Sequence, residues 1–150
     1  MTRDAVGDTR TQPQPASGVT DPGPVSVPRV LVVDDDRDIC GVVAFKLASL
    51  GFEVLIEHDG EAGLAAARIE RPGLIVLDWM MPRLTGIEVC LAIRADPTLE
   101  STPVILLTAK AQEADVARGF SAGVNDYLVK PFSPRELAGR VQSLLARPTR

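Results

Sequence analysis

The sequence predicts an α/β fold: a doubly wound, five-stranded parallel sheet covered by helices on both faces, a three-layer sandwich. Three observations predict it. Short apolar runs alternate with helix-length segments after Pro28, three of those runs are apolar without interruption, and the runs end on polar residues. Runs apolar on both faces suit buried parallel strands better than half-exposed ones. Five β–α units joined by right-handed crossovers then place helices on either side of the sheet.

The central strands are Val30-Leu31-Val32-Val33, Leu74-Ile75-Val76-Leu77 and Val104-Ile105-Leu106-Leu107. Phe52 to Glu57 and Asp126 to Val129 are weaker runs, assigned to the edges or near-edges. Ile39, Val43, Leu47 and Leu50 recur at helical spacing, and Gly51 follows as a stop. Residues 59–70 are alanine-rich and end before Pro72. Residues 85–95 and 112–122 give two more helices. The last starts at Ser133 as N-cap, with Pro134 at the first helical position, Glu136 three residues on, and Leu137, Val141 and Leu144 facing inward until Pro148 ends it. Residues 1–28 hold five prolines with several Gly, Ser and Thr and no aromatic, so this segment is expected to be a disordered tail. Residues 29–150 are the domain.

Bulk properties narrow the function. The net charge of -4 offers no basic footprint for nucleic acid or an anionic membrane, so neither is expected as a direct partner. No apolar run approaches the roughly 20 residues a membrane span needs, and the charged N-terminus is no secretory signal. A cytoplasmic location is the expectation. Cys40 and Cys90 are too few for a disulfide framework or zinc site and read as buried thiols. His58, the only histidine, reads as a surface residue, and without a second one a Ser-His-Asp hydrolase is disfavoured.

In doubly wound sheets, ligands sit at the carboxyl ends of the strands. The first strand here runs into Asp34-Asp35-Asp36, the third ends at Asp78, the fourth at Thr108 and the fifth at Lys130. Read singly, the acidic triplet with Asp38 serves equally well to cap a helix, Asp78 to form a turn, and Lys130 to solvate a surface. Read together, converging carboxylates stay ionised only around a cation, and all-oxygen ligands select a hard one such as Mg²⁺. A lone lysine suits phosphate. Metal, carboxylate nucleophile, lysine and hydroxyl form a kit for phosphoryl transfer.

Four segments carry a resemblance. Val30 to Asp36, Leu77-Asp78-Trp79-Met80-Met81-Pro82, Leu107-Thr108-Ala109-Lys110 and Tyr127-Leu128-Val129-Lys130-Pro131-Phe132 resemble the motifs of response-regulator receiver domains of two-component signalling, over residues 29–147. The resemblance implies a flavodoxin-like strand order of 2-1-3-4-5. It implies that Asp78 accepts the phosphoryl group from a histidine kinase or phosphotransfer protein. Asp35, Asp78 and the main-chain carbonyl of Met80 would bind Mg²⁺ directly, with Asp34 acting through water. Lys130 would contact the phosphoryl group and precede a cis peptide bond to Pro131. Thr108 and Tyr127 would be the switch residues, while Asp36 is left to cap a helix.

The resemblance also bears on lifetime and output. Met80 stands where some relatives carry a water-orienting Asn, and Lys110 occupies the other position that tunes hydrolysis, so phosphoryl loss is expected to be slow. The stretch from Asn125 to Arg140 is similar to receivers that form homodimers through helix 4, strand 5 and helix 5. Asp126 and Arg140 match an intersubunit ion pair of that group, although Val116 replaces a basic partner for Glu136. With the chain ending two residues after Pro148, no effector domain is expected, and output falls to a downstream protein partner.

Two other functions compete with this switch, which catalyses only its own phosphorylation and dephosphorylation. Asp34-x-Asp36 after an apolar strand is similar to haloacid-dehalogenase-like phosphatases, where the first Asp is the nucleophile. That pattern normally continues with Thr or Val, but Asp38 follows here, and the late acidic pair is missing. A nucleotide binder is set aside because both glycine-rich phosphate motifs are absent.

Overall fold

The computed structural model describes residues 27–109 and 112–146. The expected tail, Lys110 and Pro148 lie essentially outside these residues. The elements run β1 (Arg29–Val33), α1 (Arg37–Ser49), β2 (Glu53–Glu57), α2 (Gly60–Glu70), β3 (Leu74–Asp78), α3 (Gly86–Ala95), β4 (Val104–Thr108), α4 (Glu113–Ser121), β5 (Asp126–Val129) and α5 (Pro134–Leu145). All strands pair in parallel, in the order β2-β1-β3-β4-β5. The expected order and the edge positions of the two weaker strands are both observed.

Side-chain alternation along the strands divides the core in two. Leu31, Val33, Ile75, Leu77 and Leu106 point to one face, where Leu64, Ile87, Cys90 and Ile93 from α2 and α3 cover them. Val30, Val32, Leu74, Val76, Ile105 and Leu107 point to the other, under Cys40, Val43 and Leu47 of α1 and Leu137, Val141 and Leu144 of α5. Every residue of β3 and β4 is buried, which explains why both are apolar up to their last residues, Asp78 and Thr108.

The helix starts follow the capping rules. Asp36 accepts hydrogen bonds from the backbone N–H groups of Asp38 and Ile39, at 3.0 and 3.1 Å, as expected of it. Asp59 caps α2, and Thr85 with Glu88 forms a reciprocal capping box on α3. Ser133 accepts from the Glu136 N–H at 3.0 Å, with Pro134 in the first turn. Gln112 opens α4 with no side-chain cap.

One close approach fixes how β3 meets α3. A Cβ on Gly86 would stand 2.4 Å from the Asp78 carbonyl oxygen, so only glycine fits there. The Gly86 N–H also donates to the Trp79 carbonyl at 2.8 Å. The α3 N-terminus is thereby tied directly to the end of β3.

Candidate functional site: an acidic cleft at the strand ends

The carboxyl edge of the sheet gathers the residues that the sequence singled out. Asp34 follows β1 and is fully buried, Asp78 ends β3 at 5% exposure, and Thr108 ends β4, also buried. Asp35 is exposed beside them. Carboxylate oxygens of Asp34, Asp35 and Asp78 all lie within 4.8 Å of one another. Lys130, just beyond β5, places Nζ 3.1 Å from Asp78 Oδ1 and 3.2 Å from Asp34 Oδ2. Its own N–H donates to the Thr108 carbonyl at 2.8 Å, which joins the ends of β4 and β5. The Lys130–Pro131 peptide bond is cis, as the resemblance implied.

Asp34 is held from several sides. Its Oδ1 accepts from the Asp36 N–H at 2.9 Å, and its own N–H donates to the Glu57 carbonyl. Its carbonyl oxygen accepts from the Cys40 thiol at 3.3 Å and from His58 Nδ1 at 3.0 Å. A carbonyl only accepts, so Nδ1 is the protonated nitrogen. His58 is therefore half-buried and engaged, which corrects its reading as a surface residue. Asp34 Oδ2 is buried and receives no directed hydrogen bond, having only the Lys130 charge nearby.

Crowding shows in the proton affinities. Burial, followed by the charge of Asp34, pushes the Asp78 carboxyl up to about 6 against the pull of Lys130. Burial pulls the Lys130 ammonium down, but its contacts with Asp78 and the charge of Asp34 outweigh that and leave it raised. A buried carboxylate oxygen with no directed hydrogen bond and only the shared Lys130 ammonium beside it, inside a cluster of carboxylates, fits a bound cation. The all-oxygen donor set fits a hard divalent ion.

The cleft above these groups has a volume of about 380 Å³ and is lined by Asp35, Asp36, Asp78, Met80, Ala109 and Lys130. Asp78 thus faces solvent-accessible space, whereas Asp34 lies beneath. The Met80 side chain is 57% exposed at the rim.

Behind the cleft, Trp79, Leu106, Thr108, Asp115, Val116, Gly119, Val124 and Tyr127 pack closely. Tyr127 is half-buried and meets Phe120 of α4 edge-to-face, with centroids 5.9 Å apart. The Asp126–Arg140 pair, matched in sequence to an intersubunit contact, is closed within the chain at 2.7 Å, and Glu136 adds a second contact to Arg140 at 3.6 Å.

Sequence reasoning missed two structural groups. His58 was legible only through strand register, since Val33 pairs with Glu57 and so brings the next residues side by side. Arg94 donates to the carbonyls of Glu100, Thr102 and Gly123 and to Asn125 Oδ1, which ties together the turns before β4 and β5. Its acceptors are mostly backbone, which leaves no residue signature.

A parallel sheet of order β2-β1-β3-β4-β5 with an acidic cleft at its carboxyl edge defines a doubly wound α/β domain with a candidate cation site at its strand ends. The family model of the response regulator receiver domain matches residues 30–142. The chain belongs to that family. It is 44% identical over 119 residues to the alkaline phosphatase synthesis transcriptional regulatory protein PhoP of Bacillus subtilis, with 79% of this chain and 49% of that protein covered. It is 42% identical over 119 residues to the DNA-binding response regulator MtrA of Mycobacterium tuberculosis, covering 79% and 51%. The chain spans about half the length of these curated relatives. Among solved structures, the chemotaxis response regulator CheY4 of Vibrio cholerae matches with a TM-score of 0.76 and 34% identity, covering 79% of this chain and 99% of that one. The Francisella response regulator 1452 receiver domain matches at 0.74 and 37%, covering 79% and 96%.

Two expectations take a narrower form here. DNA binding is stated for the longer MtrA, so the expected lack of a nucleic-acid partner concerns only the residues of this chain. Among the described residues, no helix is long and apolar enough to cross a membrane.

Proposed function

We propose that this receiver is a phosphoryl switch whose acceptor is Asp78, charged by a histidine kinase or a histidine phosphotransfer protein. The observation that carries this reading is the position of Asp78 in the cleft. It is the buried carboxylate that lines the open space, with Lys130 Nζ 3.1 Å from its Oδ1. In the reaction a carboxylate oxygen of Asp78 forms a bond to phosphorus as the phosphorus–nitrogen bond of the donor imidazole breaks, and the imidazole leaves with the electron pair. Lys130 neutralises the equatorial oxygens, and the hydroxyl of Thr108 is the switch group, followed by Tyr127.

Asp34, Asp35, Asp78 and the main-chain carbonyl of Met80 are the residues that would hold Mg²⁺. When bound, the ion supplies electrophilic stabilisation of charge on the phosphoryl oxygens. Asp34 Oδ2, buried and without a directed donor, supports this assignment.

The rim beside Asp78 is formed in part by Met80 and Ala109, which offer water no strong acceptor, so phosphoryl loss is slow. Met80→Asn is expected to quicken it. Output passes to a protein partner through α4, β5 and α5, and a homodimer through the same face belongs to this reading.

The phosphatase reading through Asp34 is not favoured. That side chain is fully buried, with one oxygen taken by the Asp36 N–H and the other against Lys130. Labelling with a radioactive small-molecule phosphodonor in Mg²⁺ tests the assignment. The wild type is expected to take one acid-stable, base-labile phosphoryl group and Asp78→Asn none; equal labelling of the two proteins would overturn it.

A further inference from the structure

We propose that Met80 is a peroxide-sensitive site whose oxidation shortens the life of the phosphoryl group on Asp78. This rests on the reading of Asp78 as the acceptor.

Placement singles out the sulfur of Met80. Its side chain is 57% exposed and lines the cleft with Asp78, Ala109 and Lys130. Met81, the next residue, is 7% exposed and belongs to the core beneath α2 and α3. Cys40 and Cys90 are both buried. Their thiols are withdrawn from solvent, at 1% and 0% exposure, out of reach of an oxidant arriving at the surface. A small oxidant arriving from solvent therefore meets Met80 first among the described sulfurs, and it meets it at the mouth of the acceptor cleft.

The chemistry is a two-electron oxidation. A lone pair of the thioether attacks one oxygen of hydrogen peroxide, the O–O bond breaks, a sulfur–oxygen bond forms and water leaves. The product is a sulfoxide, reversible by methionine sulfoxide reductase. A thioether is a weak hydrogen-bond acceptor, whereas a sulfoxide oxygen is strongly polar.

That change matters for the water that ends the phosphorylated state. In hydrolysis, a water oxygen bonds to phosphorus, the bond from phosphorus to the Asp78 oxygen breaks, and the water gives up a proton. On the rim, Ala109 offers no side-chain acceptor, Asp36 Oδ1 is already bonded to the Asp38 and Ile39 N–H groups, and the Asp35 carboxylate is assigned to the cation. Oxidised Met80 supplies an acceptor that can hold water over Asp78. One well-placed hydrogen bond corresponds to a rate change of about threefold to tenfold.

The test uses the full chain, labelled with radioactive acetyl phosphate in Mg²⁺ with and without prior hydrogen peroxide. Peptide mass mapping locates the added oxygen. Label is expected to decay at least about threefold faster after peroxide, to return to the untreated rate after reductase, and to decay fast without peroxide in Met80→Gln. Met80→Leu, whatever its own rate, is expected to be indifferent to peroxide. The proposal is overturned if Met80 carries oxygen and decay is unchanged, if another residue takes the oxygen first, or if Met80→Leu responds equally. If the untreated chain takes no label, the failure lies with Asp78 as acceptor.

Discussion

The guanidinium carbon of Arg118 lies 5.8 Å from the centroid of the Trp79 ring, so α4 touches the residue that follows Asp78. A cation over an indole face is attracted by the ring quadrupole, worth roughly 0.5–1 kcal/mol at an exposed site. Trp79 is buried and is the only tryptophan, so tryptophan fluorescence reports on the surroundings of this one ring. Arg118→Ala is expected to lower stability by no more than about 1 kcal/mol in urea denaturation. It is also expected to alter the fluorescence response to beryllofluoride in Mg²⁺. An unaltered response would separate α4 from the acceptor.

Stability without metal is expected to depend on pH through Asp78. Its carboxyl is pushed from 3.8 to about 6 in the folded chain, by burial first and by Asp34 second. The native state therefore binds more protons than the unfolded chain between about 4 and 6. Stability falls as pH rises through that window, and the full penalty is present above it. Asp78→Asn is expected to melt higher than wild type at neutral pH, by a margin on the order of 2 kcal/mol, and to lose that advantage below pH of about 4. Thermal melts in chelator across this range check both the size and the direction.

Gly86→Ala is expected to damage the site through the backbone. The added methyl would meet the Asp78 carbonyl oxygen at 2.4 Å, a backbone atom that cannot swing aside. Overpacking of this kind costs roughly 1–3 kcal/mol and moves the end of β3 away from α3. The variant should fold with a lower Tm and take phosphoryl label more slowly. Wild-type labelling kinetics would show that the contact relaxes harmlessly.

Arg140 offers a test of the proposed homodimer. Its guanidinium is held within the chain by Asp126 at 2.7 Å and by Glu136 at 3.6 Å. A homodimer using Asp126 and Arg140 across its interface requires these contacts to be exchanged, which neither gains nor loses an ion pair. Light scattering is expected to show a monomer at rest and a dimer with beryllofluoride, and Arg140→Ala to abolish the shift. A monomer under both conditions would sink this output route.

Much of the fold was legible because burial leaves a plain mark. Strands enclosed on both faces are apolar through their length, and β1, β3 and β4 are apolar except at Arg29, which opens β1, and at Asp78 and Thr108, which close β3 and β4. The acidic cleft was legible because carboxylates at the ends of separate strands have few reasons to converge. Contacts made through backbone atoms were not legible. His58 and Cys40 both reach the Asp34 carbonyl, which has no side-chain identity to read. Arg140 was matched to a pair between chains because sequence fixes which residues are complementary, not which copy supplies each one.

The lysine in the cleft serves two masters. With Asp34, Asp35 and Asp78 ionised, three anions face the single ammonium of Lys130, which leaves an imbalance of two elementary charges. A divalent cation cancels that imbalance, so the resting pocket is electroneutral once loaded. On the proposed reading, an incoming phosphoryl group would introduce anionic surplus into a space with no spare countercharge among these four residues. Rearrangement of the cleft would be the way to absorb it.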